Sequence, residues 1–273
     1  EQWYRSPDLS KSAADDTTPF TKLQVPDDSS IGTFGDQATL ELRSDWAPPK
    51  APGGKTYAAG TLLSAPLCDV INADWSRATA LFEPQPSTSL QRLSATRNYL
   101  ILETSADVLS RLSFFKFQRD TGWVCQPSKD GMRERIVPVG ESIDLRPVWP
   151  DSSDDIWMTS SGFLLPSTLT MASAVDSCTT TTTLKSLPHF FDASQLECTQ
   201  HFATSKDGTK VPYFLLGPKG MPLDGSHPTL LDGYGGFEIS SLPFYSGAVG
   251  AVWLANGGVK AIANIRGGGE YGP

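Results

Sequence analysis

Cysteine is scarce in this chain, and the few residues present do not group. Cys68, Cys125, Cys178 and Cys198 stand far apart and form no C-x-x-C pair. That spacing is poor for a zinc site and sparse for a disulfide framework; the residues read as isolated buried thiols, with one disulfide between neighbouring sheets left open. Histidine is as thin. His189, His201 and His227 lack metal-type spacing, and the C-x-x-H pair of Cys198 and His201 has no further ligand beside it, so no metal is expected. Nor is there an apolar run of the roughly 20 residues that a membrane-crossing helix needs. The most apolar stretch, residues 248–265, is broken by Asn256, Gly257, Gly258 and Lys260. Positive charge is in deficit, 22 Lys and Arg against 30 Asp and Glu for a net charge of −8. That balance argues against a nucleic-acid or anionic-membrane partner and for solubility. No secretory signal opens the chain, which starts at Glu1. The start reads as processed or truncated, and the cytoplasm is favoured. Finally, no G-x-S-x-G elbow occurs; Ser160-Ser161-Gly162 lies among strand-like runs, without the strand-to-helix setting that exposes a nucleophile.

What is present is apolar and punctuated. Of 273 residues 39% are apolar, with seven Trp and thirteen Phe, and only 19% are charged. This suits one large or two smaller folded domains and excludes a disordered chain. Residues 1–32 are polar and Pro-containing and read as an irregular lead-in. Residues 33–192 carry short strand-like runs, such as 37–42, 99–103, 111–118 and 156–159. Turn residues separate them, and long amphipathic helices are missing, so a sandwich or propeller blades are expected. At about 40 to 50 residues per blade the stretch holds roughly three to four. The Asp-Trp pairs at 45–46 and 74–75 are weak repeat marks. The acidic turn at 151–155 lacks EF-hand spacing and reads as a solvated loop. The threonine run at 179–183 reads as a solvated connector, although its β-branched residues could extend a strand.

From Leu196 the grammar changes. Residues 196–204 and 211–216 flank Asp207-Gly208, a hairpin signal because Gly accepts positive φ. A short buried strand at 229–231, a helix around 245–255 and a strand at 259–265 come next, the opening of a parallel α/β sheet. The expected domains are residues 1–192 and 193–273.

Two glycine motifs lie in this second part. Asp232-Gly233-Tyr234-Gly235-Gly236-Phe237 directly succeeds a strand. Asn264-Ile265-Arg266-Gly267-Gly268-Gly269-Glu270-Tyr271-Gly272 closes the chain and satisfies the dinucleotide pattern G-x-G-x-x-G. That fingerprint needs a helix directly after it, and Glu270 would set negative charge against phosphate, so a structural glycine turn is the better reading. Together, and with 203–208 and 223–228, the motifs resemble the start of the catalytic domain of the prolyl oligopeptidase family of serine peptidases. The resemblance implies the closing blades of a seven-bladed propeller that acts as a size filter, with Phe163-Leu164-Leu165-Pro166-Ser167-Thr168-Leu169 similar to the last blade. The implied fold is a β-propeller portion of several four-stranded blades followed by the N-terminal part of an α/β-hydrolase domain.

By the same resemblance the Tyr234 hydroxyl is an oxyanion-hole donor and Phe237 lines the pocket for the substrate proline. The implied activity is cleavage of short proline-containing peptides after proline through an acyl-enzyme, without cofactor or metal, by a protein that is monomeric at full length. The family's Ser, Asp and His lie downstream of this point, so the chain alone is expected to be inactive. A non-catalytic propeller-type module binding peptides or proteins is the alternative. Asp232 departs from the family pattern, where a more neutral residue is expected; turned inward it would raise the tyrosine's pKa, and it is expected to face solvent. Arg266 is expected to pair with a carboxylate or carbonyl and is given no catalytic role.

Overall fold

Short apolar runs bounded by Gly, Pro and Asp favour antiparallel meanders, in which each strand turns back on its predecessor. A computed structural model of the protein describes residues 1–4, 18–127 and 131–273. They fall into two compact units, residues 1–85 with Pro273, and residues 86–272.

In the first unit β1 (Trp3–Tyr4) pairs with β2 (Thr21–Lys22) inside what the sequence suggested was irregular lead-in. The main sheet is a meander of β3 (Ser30–Phe34), β4 (Gln37–Glu41), β5 (Leu62–Pro66) and β6 (Thr79–Phe82). Leu40, Leu42 and Leu63 are fully buried with Trp75, against whose ring Trp46 stands edge-on at 5.1 Å. Both Asp-Trp pairs therefore serve this one core and do not mark successive repeats.

The second unit holds two further meanders. One is β7 (Thr88–Ala95), β8 (Leu100–Ala106), β9 (Leu109–Gln118) and β10 (Gly122–Gln126), with β11 (Arg135–Ile136) also on β9. The other is β12 (Glu141–Pro147), β13 (Asp155–Gly162), β14 (Thr168–Ser173) and β15 (Thr182–Ser186). The threonine run is thus no simple connector: Thr182 and Thr183 begin the exposed edge strand β15, opposite Met171 and Thr170. β-branched side chains fit a pleated edge better than a free loop. The two meanders share a core of Ile101, Leu112 and Phe114 with Ile143, Leu145 and Ile156. They are also tied by Asp154, which is no mere solvated loop residue. Its carboxylate accepts from Thr96 Oγ1 (2.8 Å), Asn98 N (2.8 Å) and Asn98 Nδ2 (2.7 Å). Burial alone would raise this group's pKa; the bonds from Asn98 and Thr96 outweigh it and lower it. Among the described residues there are three meanders and no closed propeller.

The sheet type changes at β16 (Leu196–Thr204), four strands from the chain's end and close to Asp192. With β17 (Lys210–Pro218), β18 (Thr229–Gly233) and β19 (Val259–Ala263) it forms a sheet ordered β16-β17-β19-β18. The Asp207-Gly208 hairpin forms as expected, with Gly208 at φ 88°. β18 and β19 run parallel, joined by α1 (Gly247–Val252) and a short 3-10 turn. Phe163 reaches from the β13–β14 loop into this sheet's core, edge-on to Phe214 at 5.5 Å. All four cysteines are free. Cys178 fits the buried-thiol expectation, Cys125 and Cys198 are half-buried, and Cys68 is exposed; burial pushes the Cys178 and Cys198 thiols up to about 12.

Glu103 on β8 is buried opposite Arg92 on β7. Arg92, however, bonds Asp144 on β12. Burial, only partly offset by Arg92, pushes the Glu103 carboxyl from its ordinary 4.5 up to about 7. A raised carboxylate stabilises the fold below the unfolded pKa and loses that contribution as pH rises through the folded one. Stability of the second unit should therefore fall by up to about 3 kcal/mol between pH 4.5 and 7 through this group. In Glu103→Gln that slope should flatten, as read from denaturant midpoints at pH 5 and 8.

Candidate functional site

Parallel strands open their loops at a common end, and ligands of such sheets gather at the carboxyl ends. Here β18 and β19 end side by side, Gly233 opposite Ala263, and each runs at once into one of the two glycine motifs. The motifs interlock. A Cβ on Gly267 would lie 2.1 Å from the Gly235 carbonyl oxygen, and one on Gly235 would lie 2.4 Å from that of Arg266. Gly267 also sits at φ 91°, which a side chain rarely adopts. The glycines therefore serve backbone-to-backbone approach, and the G-x-G-x-x-G spacing has a structural cause. Residues Gly269–Tyr271 form a 3-10 turn, and the Glu270 carboxylate fills the space beside Gly268.

Tyr234 emerges from β18 half exposed, its ring folded over Gly236. It borders a cleft of about 270 Å³ with Phe163, Ser240, Ser241, Phe244 and Ile262. Phe237 does not line this cleft. It is 91% exposed, and it and Glu238 hold φ values of 55° and 52°. Two successive non-glycine residues in the left-handed region carry strain.

Asp232 lines the same cleft as the tyrosine. Its half-exposed carboxylate pairs at 3.2 Å with Lys260, a nearly buried lysine on β19 that also lines the cleft. A lysine within a buried strand was the available signal for this pair. Arg266 bonds Asp207 in the β16–β17 turn and Ser205 Oγ at 3.3 Å, holding Asp207 well below the usual carboxylate range. No group of three His, Cys, Asp or Glu that could hold a metal occurs among the described residues. His201 instead bonds Thr199 Oγ1 at 2.8 Å and stacks on Tyr213.

No family model matches the chain. An uncharacterized peptidase, y4nA, of Sinorhizobium fredii is 39% identical over 244 residues, 89% of this chain and 32% of that protein. The prolyl endopeptidase of Elizabethkingia miricola is 55% identical over 73 residues, 27% of this chain and 10% of its own length. A solved post-proline cleaving enzyme from Rickettsia typhi superposes with a TM-score of 0.76 at 27% identity, over 94% of this chain and 36% of that one. The chain belongs to the prolyl oligopeptidase family. It spans about a third of the length of the peptidase y4nA and of the Rickettsia enzyme. In this family setting the glycine interlock is the feature that sets where Tyr234 leaves its strand. Gly267→Ala combines a left-handed φ with a backbone clash and should cost about 3 kcal/mol or more. Gly220→Ala, also left-handed but with open space around it, should cost about 1 kcal/mol. Equilibrium denaturation of both variants measures the difference.

Proposed function

We propose that this chain supplies the closing propeller blades and the first strands of the peptidase domain of a serine peptidase that cleaves short peptides after proline. On this reading the three meanders are blades, and residues 193–273 open an α/β-hydrolase sheet. The observation that carries the reading is Tyr234 at the carboxyl end of a parallel strand, beside a cleft, on a loop set by glycine contact. Attack on a peptide carbonyl places negative charge on its oxygen. A phenol hydroxyl held at that point donates a hydrogen bond that strengthens as the charge develops, so it favours the transition state over the bound substrate. Phe237 offers an apolar ring to the proline ring. Left in water, such a side chain forgoes about 1.5–3 kcal/mol of burial, which fits a wall completed by substrate and by other residues. β18 supports the same reading: its outer edge is unpaired within its sheet, and Leu231 there is 74% exposed. An unpaired edge that exposes Leu230 and Leu231 suits a sheet that continues. Nucleophile, general base and orienting acid are assigned to no residue among these 273, and the chain by itself is expected to turn over no substrate.

The test begins with the transcript beyond the codon for Pro273. A continuing frame with a glycine-flanked serine, then Asp and His, supports the reading; a stop codon there turns the question to peptide binding by a non-catalytic module. In a protein that carries the serine, Tyr234→Phe should lower kcat about 100- to 1,000-fold with little change in KM. Phe237→Ala should chiefly raise KM for proline-containing peptides. Unchanged kcat in the tyrosine variant would remove the oxyanion assignment.

A further inference from the structure

Glu270 is the most completely buried carboxylate in the second unit, and the chemistry proposed for Tyr234 and Phe237 does not use it. It is fully buried, as is Asn264. Its Oε1 accepts from the backbone N–H of Ser241 at 2.8 Å and from Asn264 Nδ2 at 3.0 Å. Asn264 Nδ2 also donates to the Ser241 carbonyl at 3.1 Å. Both backbone groups of Ser241 are thus held by two side chains from the other glycine motif, as a neighbouring strand would hold them. Glu270 Oε2 has no partner among the described residues. A buried carboxylate with an unsatisfied oxygen costs stability, so a compensating role is expected of it.

That role is set by the two fixed points of the Tyr234 loop. At one end Gly235 is locked on Gly267 and Arg266. At the other Ser241 is gripped by Glu270 and Asn264. Between them stand Phe237 and Glu238, both at positive φ. Strain of this kind persists only where both flanks are held. The grip is itself braced from β7: Ser89 Oγ donates to the Glu270 carbonyl at 2.7 Å, Gln91 Nε2 donates to the Gly269 carbonyl at 2.9 Å, and Ser240 Oγ donates to Gln91 Oε1 at 3.0 Å.

We propose that Glu270 is a positioning residue, whose buried carboxylate clamps Ser241 with Asn264 and so holds the strained turn that presents Phe237. The role of that turn in substrate binding rests on the peptidase reading; the clamp itself does not. Reach, not charge, is the requirement. A glutamine keeps an acceptor at the Oε1 position, whereas an aspartate keeps the charge and withdraws it by one methylene.

Amide hydrogen exchange of the 273-residue chain tests this without turnover. In the unaltered chain Ser241 N–H should be the slowest-exchanging amide of residues 237–241. Glu270→Asp should speed exchange across 237–241 by about tenfold or more while β8 stays protected. Glu270→Gln should restore protection. A Ser241 amide that exchanges freely in the unaltered chain would overturn the clamp, even if the aspartate variant does not fold. So would an aspartate variant that keeps protection, or a glutamine variant that loses as much as the aspartate. Because the readout is exchange, a failed clamp leaves the peptidase reading standing, and failed peptidase activity leaves the clamp standing.

Discussion

The contact between Gly235 and Gly267 governs the end of this molecule where the candidate site lies. Two loops leave adjacent parallel strands and meet backbone to backbone, closer than any Cβ allows. Every other feature there is arranged around that contact. Tyr234 lies one residue before it, Arg266 one residue before its partner, and Arg266 is in turn tied down to the β16–β17 turn through Asp207. A side chain at either glycine would separate the loops and shift the tyrosine with them. The chemistry proposed for Tyr234 asks for placement within a fraction of an ångström, and backbone contact is the stiffest way a loop can supply it.

The same economy of polar groups joins the two meanders of the second unit. Asp154 uses both oxygens on residues of the neighbouring meander, and Arg92 crosses to Asp144. Arg92 stands opposite Glu103 in the sheet register, yet its guanidinium goes to Asp144, and Glu103 is left in a desolvated place with weak compensation. One arginine serves two carboxylates, and the exposed one takes it. The buried one holds its proton to near neutral pH.

Local turn chemistry was legible in the sequence, and so was the sheet it built. Asp207-Gly208 needs only its own φ preference to make a hairpin, and the strands on either side lie within a residue or two of where the pattern put them. The runs at 229–231 and 259–265 were readable as strands for the same reason, but the first is exposed along its whole length where a buried strand was expected, because it lies at the edge of its sheet. Relationships across long separations were not legible. Asp154 looked like part of a solvated acidic turn because its partners lie near residue 97. The Asp-Trp pairs looked like two repeat marks because sequence cannot show that Trp46 and Trp75 touch. Glu270 looked like an argument against phosphate and nothing more, since its partner Ser241 and brace Ser89 lie in other elements. Composition could suggest the threonine strand β15 but could not choose it over a loop, because an edge strand has little buried pattern to read.

The two candidate residues differ because each is held in its own way. Tyr234 sits next to the glycine interlock, at the end of a hydrogen-bonded strand, and already borders a cleft. Phe237 lies at the top of a strained turn, away from that cleft and open to water. A donor that must meet a developing charge needs a fixed origin, and the strand end gives it one. An apolar wall needs only to be pressed against its ligand, and a turn held at both ends can offer the ring without burying it. The strain at Phe237 and Glu238 is then intelligible as the consequence of pushing an apolar side chain outward against its tendency to collapse onto the sheet. Two anchors, one of glycine backbone and one of buried carboxylate, keep it there.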